Sequence, residues 1–357
     1  MKFVVRSVGV IVVSLLLVAG WFSLPGSTPQ ILDAVGNPVA NSIAEEEWVD
    51  VNGLRQWTLT RGRNKDAPIL IVLHGGPGAG EFAFFRAFNS ELENDFVVVH
   101  WDQRGAGKSF DSDATPPETM NIAQFVADID VVVDHVRSKF GRKRVAILGH
   151  SWGSLLATQY VAMHPEKVSG YIGTGQISDM TANEEHSYVF ALSEARRLNN
   201  KEAIVDLEKI GPPPYNVSDT LVQRGWLTEF GGGLTHDKRS QASLAWTALQ
   251  VPEFNLFDLI ALVRSALFSM DYLWDQIGSI NLDQTYLSFE IPVFFILGRH
   301  DHQTPSELAE RYFNRLTASD KELFYFENSA HCPPWEEPEK FYTVMVETIK
   351  PRLLPDR

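Results

Sequence analysis

Cysteine is nearly missing from this chain of 357 residues: Cys332 stands alone. No intramolecular disulfide can form, and neither C-x-x-C redox pairs nor the paired spacings of a zinc site occur. Positive charge is also in deficit. Lys and Arg number 31 against 45 Asp and Glu, a net charge of −14. That balance argues against a protein that binds nucleic acid or another polyanion and does little else, because an acidic surface is usually just a soluble one. Internal repeats and low-complexity tracts are absent. So is any charge between Arg6 and Asp33.

That uncharged gap is the first positive feature. Lys2 and Arg6 precede an apolar run over residues 7–24, about the 17–25 residues that cross a bilayer. The run is apolar on every face, which argues against a core helix. Its length favours an uncleaved anchor, and a cleaved signal peptide is the alternative. Val18-Ala19-Gly20-Trp21 offers only a weak small-residue cleavage site. With Lys2 and Arg6 held in the cytoplasm, the rest of the chain lies outside it, anchored or secreted. Residues 25–44, rich in Pro, Gly, Ser and Asn at their start, read as a linker.

From residue 45 the pattern alternates strand and helix. Asn52-Gly53 between two apolar-alternating stretches is a hairpin signal. Ile69-Leu70-Ile71-Val72-Leu73, Val97-Val98-Val99 and Val145-Ala146-Ile147-Leu148 read as buried strands, and residues 122–140 have helical period. This predicts an α/β fold with a mainly parallel sheet covered on both faces. The alternation lapses over residues 177–288, a helical stretch rich in aromatics, and resumes at Val293-Phe294-Phe295-Ile296-Leu297. The expected organisation is a core in two parts, residues 45–176 and 289–357, with an inserted helical cap at 177–288. Most cap aromatics belong to its packing, with Trp246 and Trp274 assigned to a pocket beneath it.

Chemistry is concentrated in a few loops. Gly149-His150-Ser151-Trp152-Gly153 reads G-x-S-x-G between a strand and a helix, the context of a nucleophile elbow. His74-Gly75-Gly76-Pro77-Gly78 follows a strand and can present backbone N–H groups to a developing oxyanion. Asp301 ends another strand, and His331 sits in a loop after a third. The chain order Ser, Asp, His is that of the α/β-hydrolase fold. Ser151 is the expected nucleophile, His331 the base and Asp301 its orienting acid. The N–H of Trp152 and one from Gly75 or Gly76 are the expected oxyanion donors. Asp271, Asp275 and Asp283 are poorer candidates for the acid. His150 is expected to be structural, and His300 and His302 to wall the site. Gly107-Lys108-Ser109 mimics the end of a P-loop, but position 102, where its first glycine belongs, is Asp. Nucleotide binding is rejected, and Asp102 and Arg104 are expected in a hydrogen-bond network beside the site.

Together HGGPG (residues 74–78), DQRGAGKS (102–109), GHSWGS (149–154) and GRHD (298–301) resemble the proline iminopeptidase family, peptidase family S33 of the α/β-hydrolases. The likeness covers residues 45–175 and 290–350. It implies a helical cap, no cofactor or metal, and a small-molecule or short-peptide substrate. It also implies Ser151, Asp301 and His331 as the catalytic group, with Gly76 and Trp152 near the oxyanion. Family aminopeptidases hold the substrate amino group with glutamates. One such motif, W-x-x-W-E, corresponds here to a stretch ending in Gln250, and the residue after Asp301, Glu in another version, is His302. Glu184, Glu185 or Glu253 would have to substitute, although Glu184 and Glu185 also fit a solvated helix start. The expected activity is a serine hydrolase releasing N-terminal residues, Pro preferred, from short peptides. The alternatives are a carboxylesterase or other acyl hydrolase and an inactive hydrolase-like binding protein.

Overall fold

The computed structural model describes Gly20 and residues 22–356. Most of the expected anchor therefore lies outside the described residues. Among those described, no helix is long and apolar enough to cross a membrane.

Eight strands form one sheet: β1 (Ile43–Val51), β2 (Leu54–Gly62), β3 (Ile69–Leu73), β4 (Val97–Trp101), β5 (Val145–His150), β6 (Val168–Thr174), β7 (Val293–Gly298) and β8 (Lys321–Phe326). Their spatial order is β1-β2-β4-β3-β5-β6-β7-β8. β1–β2 and β2–β4 pair antiparallel, and every later pair is parallel. The first pair is the hairpin that Asn52-Gly53 signals, with φ of 46° and 84° at the turn.

Helices of eight or more residues are α1 (Phe82–Asn89), α2 (Ile122–Phe140), α3 (Trp152–Met163), α4 (Met180–Arg197), α5 (Lys201–Ile210), α6 (Val217–Glu229), α7 (Gln241–Leu249), α8 (Leu256–Gly278) and α9 (Ser306–Arg315). Helices α4 to α8 fall between β6 and β7 and form the cap. Strand alternation divides the core in two. Ile69, Ile71, Leu73, Val145 and Ile147 pack with α2, α3 and α9 on one face. Leu70, Val72, Ala146 and Leu148 pack with Phe85 of α1 and with Phe341, Met345 and Ile349 on the other. Continuous apolar strands are the consequence of burial on both sides. The polar loops are thereby left to the strand ends, and the carboxyl ends of β3, β5, β7 and β8 open toward the cap.

The segment read as a linker is not a free tether. Thr28 donates its N–H to Glu46 (2.7 Å) and its hydroxyl to Glu253 (2.8 Å), while Arg61 donates to the Pro29 carbonyl (2.7 Å). Leu32 and Pro38 form a short bridge.

Candidate active site

The elbow is built by close backbone approach. Ser151 has φ 52° and ψ −118°, a conformation that non-glycine residues rarely adopt and that functional sites retain. A Cβ at Gly153 would lie 2.0 Å from the Leu73 carbonyl oxygen, and one at Gly149 would lie 2.6 Å from that of Gly153. Both glycines are thus required for the turn to nest against β3. The Ser151 N–H donates to Thr174 O (3.0 Å), and Ser154 Oγ donates to Ser151 O (2.6 Å). Ser151 is held from both sides, at the N-terminus of α3.

His331 and Asp301 meet across the ends of β7 and β8. His331 Nδ1 lies 2.9 Å from Asp301 Oδ2. Asp301 Oδ1 accepts the N–H groups of Gln303 and Thr304, each at 2.9 Å, and Oδ2 also accepts the Thr304 hydroxyl at 2.9 Å. Burial alone would raise the Asp301 pKa, but His331 and these donors outweigh it and hold the carboxyl below its usual value. Among the described residues buried His331 Nε2 has no hydrogen-bond partner, so the nitrogen remote from the acid is left for proton exchange. The His331 ring packs over Gly175, next to the Thr174 carbonyl that holds Ser151.

Gly76, Ser151 and Trp152 line one cavity of about 180 Å³. Gly75 lies behind it, where an added Cβ would meet Glu81 Oε1 at 2.8 Å and Ser151 Cβ at 3.2 Å. The DQRG loop fastens this wall. Gln103 accepts from Trp152 Nε1 (2.9 Å) and donates to the His74 carbonyl (3.1 Å), while its N–H donates to His74 Nε2 (3.1 Å). Burial lowers the His74 pKa and keeps the ring neutral, as that acceptor role requires. Arg104 pairs bidentately with buried Asp128, at 2.8 and 3.0 Å. Asp102 accepts the Lys108 N–H (2.8 Å), and burial pushes its pKa up to about 7.

Glu81 is a residue the motifs did not mark. Its Oε1 lies 2.7 Å from His150 Nδ1, and His150 Nε2 lies 3.0 Å from the His331 carbonyl oxygen. Both ring nitrogens face oxygen acceptors, an arrangement satisfied when the ring carries both protons. Burial opposes that charge, but the Glu81 carboxylate outweighs it and raises the His150 pKa. The pair thus clamps the loop that carries His331. The only sequence signal was a carboxylate just past the glycine loop. Thr304, three residues after Asp301, was missed as well.

The cavity is otherwise walled by Ile177, Met180, Leu221, Met270, Trp274 and Ile277, with Arg224, Thr220, Gln303 and Thr304 as polar members. A second cavity of about 510 Å³ shares Met180 and Trp274 and adds Glu184, Glu185 and Asp275. Glu184 is buried rather than solvated, and it pairs with Arg224. Glu185 is exposed at the rim of the second cavity. Trp246, placed by the sequence in the pocket, lies elsewhere: it is 55% exposed on α7 and its ring meets Phe22. The helical period of α7 turns Leu244 and Ala248 inward and leaves Trp246 outside. Glu253 is taken up by Arg61 and Arg86, at 3.7 and 3.2 Å, away from the site. His300 stacks on His236, and His302 on Phe190 and His186. Burial drives the His302 pKa down to about 4.

Strand order, elbow and cap define an α/β-hydrolase, and a family model described as the alpha/beta hydrolase fold matches residues 68–200. The probable aminopeptidase YbaC of Bacillus subtilis is 31% identical over 307 residues, covering 85% of this chain and 96% of its own length. The proline iminopeptidase of Heyndrickxia coagulans is 27% identical, covering 84% of this chain and 96% of its own. Among solved structures, the proline iminopeptidase of Mycobacterium smegmatis superposes with a TM-score of 0.61 at 18% identity, covering 86% of this chain and 98% of that one. This chain belongs to the proline iminopeptidase-like family of α/β-hydrolases.

Proposed function

We propose that this hydrolase is a serine aminopeptidase that releases N-terminal residues, preferably proline, from short peptides through an acyl-enzyme. The observation that carries the reading is Ser151 at a strained elbow, opening on the small apolar cavity with Gly76 and Trp152. In the proposed reaction, the Ser151 hydroxyl attacks the scissile carbonyl and His331 takes its proton at Nε2. Asp301 stabilises the imidazolium, and the N–H groups of Gly76 and Trp152 receive the oxyanion. His331 then gives the proton to the leaving amine, and water repeats the sequence to free the acid. Glu184, whose Oε2 is buried without a partner among the described residues, supplies the counter-charge for a substrate ammonium across the shared wall of Met180 and Trp274.

One observation favours a second reading. Arg224 lines the same cavity and already engages Glu184, which suits an acyl hydrolase acting on uncharged esters or amides. Proline and alanine arylamides, their N-blocked forms and short-chain nitrophenyl esters separate the two, with Ser151→Ala as control. Turnover of free arylamides but not blocked ones is expected. Ester turnover alone would sink the peptidase reading.

The proposed location is outside the cytoplasm, held to the membrane by residues 7–24. Their apolar length supports it. Recovery of the chain in the membrane fraction after carbonate washing is the expected result, and a mature N-terminus just after Gly20 would refute it.

A further inference from the structure

Helix α8 is apolar on two sides. Its inner side sets Leu259 and Leu262 against the cluster of Trp57, Phe82, Val251 and Phe254, and buries Leu273 and Ile277 in the core. Its outer side carries Phe257 (63% exposed), Ile260 (49%), Val263 (58%) and Leu267 (43%). At about 100° per residue these four fall on one side of the helix, within an arc of roughly 120°. Over this stretch the only exposed charged residue is Arg264, whose guanidinium lies over the Phe110 ring. A helix face turned to water is normally polar, and a clustered apolar face marks an interaction surface.

The first described residues of the chain lie close to the start of that helix. Phe22, near the end of the uncharged apolar run, meets exposed Trp246 of α7 edge-on at 5.6 Å. Gly26 then sits against the backbone of Pro252 and Glu253, just ahead of α8. Leu24 between them is 58% exposed. Phe22 and Gly26 therefore meet the body beside α7 and the residues just ahead of α8. A segment long enough to cross a bilayer brings that surface to the lipid boundary.

The geometry points to a lipid bilayer as the occupant of this face, with Phe257, Ile260, Val263 and Leu267 in the headgroup–acyl boundary and Arg264 toward lipid phosphates. This rests on the anchor reading of residues 7–24 and goes beyond it: the body lies down on the membrane through its cap. The same helix supplies Met270, Trp274 and Ile277 to the catalytic cavity, so the membrane would bear on the helix that walls the site.

The test uses the full chain in vesicles of phosphatidylcholine and phosphatidylglycerol. Ile260→Cys and, separately, Val263→Cys carry an environment-sensitive fluorophore. Ser138→Cys, exposed at the far end of α2, is the comparison, and Cys332 is buried and does not compete. Flotation reports the anchor; quenching by doxyl-labelled lipid reports the cap face. The expected result is flotation, with a blue shift and loss of intensity at 260 and 263 but not at 138. Flotation with no quenching at 260 or 263 overturns the docking and leaves the anchor intact. Failure to float removes the anchor reading and the docking with it. Shielding of 260 from aqueous iodide before vesicles are added also overturns the proposal, because protein would then cover the face.

Discussion

At the scale of single residues, the site depends on charges placed out of water. Glu81→Gln removes the carboxylate that favours the charged His150 ring, so the Nε2–H that holds the His331 carbonyl loses its charge assistance. Misplacement of a catalytic group on this scale costs about 10–100-fold in rate. The expected loss falls on kcat, with KM little changed, in steady-state assays across pH; an unchanged kcat would show that the clamp is dispensable. Asp102 makes a prediction of opposite kind. Its folded pKa, pushed up to about 7 from 3.8, means the folded state binds the extra proton between those values. Its contribution to stability is therefore present at low pH and lost as pH rises from about 4 to 7. Asp102→Asn should melt at a higher temperature than the parent at pH 8 and alongside it at pH 4, as thermal scans would show. The turn at Ser151 was legible in the sequence because it leaves a glycine signature that backbone contact enforces at 149 and 153. Glu81 was not, because a buried carboxylate that pairs with a histidine has no spacing of its own.

At the scale of elements, a buried ion pair ties two helices of the cap to each other, and it can be cut. Arg224 of α6 pairs with buried Glu184 of α4 beside the cavity. Arg224→Met leaves a carboxylate buried and unpaired, at a cost of about 3–5 kcal/mol. Arg224→Met with Glu184→Gln should recover most of it, measured as the urea midpoint of each variant. If the single variant is as stable as the parent, the pair is not closed in solution. The strands were readable from apolar runs because both faces of the sheet are buried. Which cap aromatics point inward was not. In α7 no alternation marks the inner side, and Trp246 is as apolar as the residues that pack.

At the scale of the whole molecule, the linker reading gave way to a docked segment. Composition at residues 25–44 suggested flexibility, but buried partners far along the chain fix it, and sequence patterns do not report them. Arg61, Arg86, Glu93 and Glu253 form a buried group of two cations and two anions, and Thr28 closes onto it. Thr28→Val should leave turnover of soluble substrates unchanged and speed amide hydrogen exchange over residues 26–32. Unchanged exchange there would mean that the contact does not hold the segment.

The clamp at Thr28 also decides how this protein meets proteases. A loose stalk would be severed readily and the catalytic body shed whole. Here Thr28 is held by three hydrogen bonds to Glu46, Glu253 and Arg61, a poor fit for an active site that needs an extended, freely moving strand. The susceptible bonds then lie upstream of the clamp, toward the apolar run. A body released by cutting there would keep its own amino-terminal strap, with the ion group still covered.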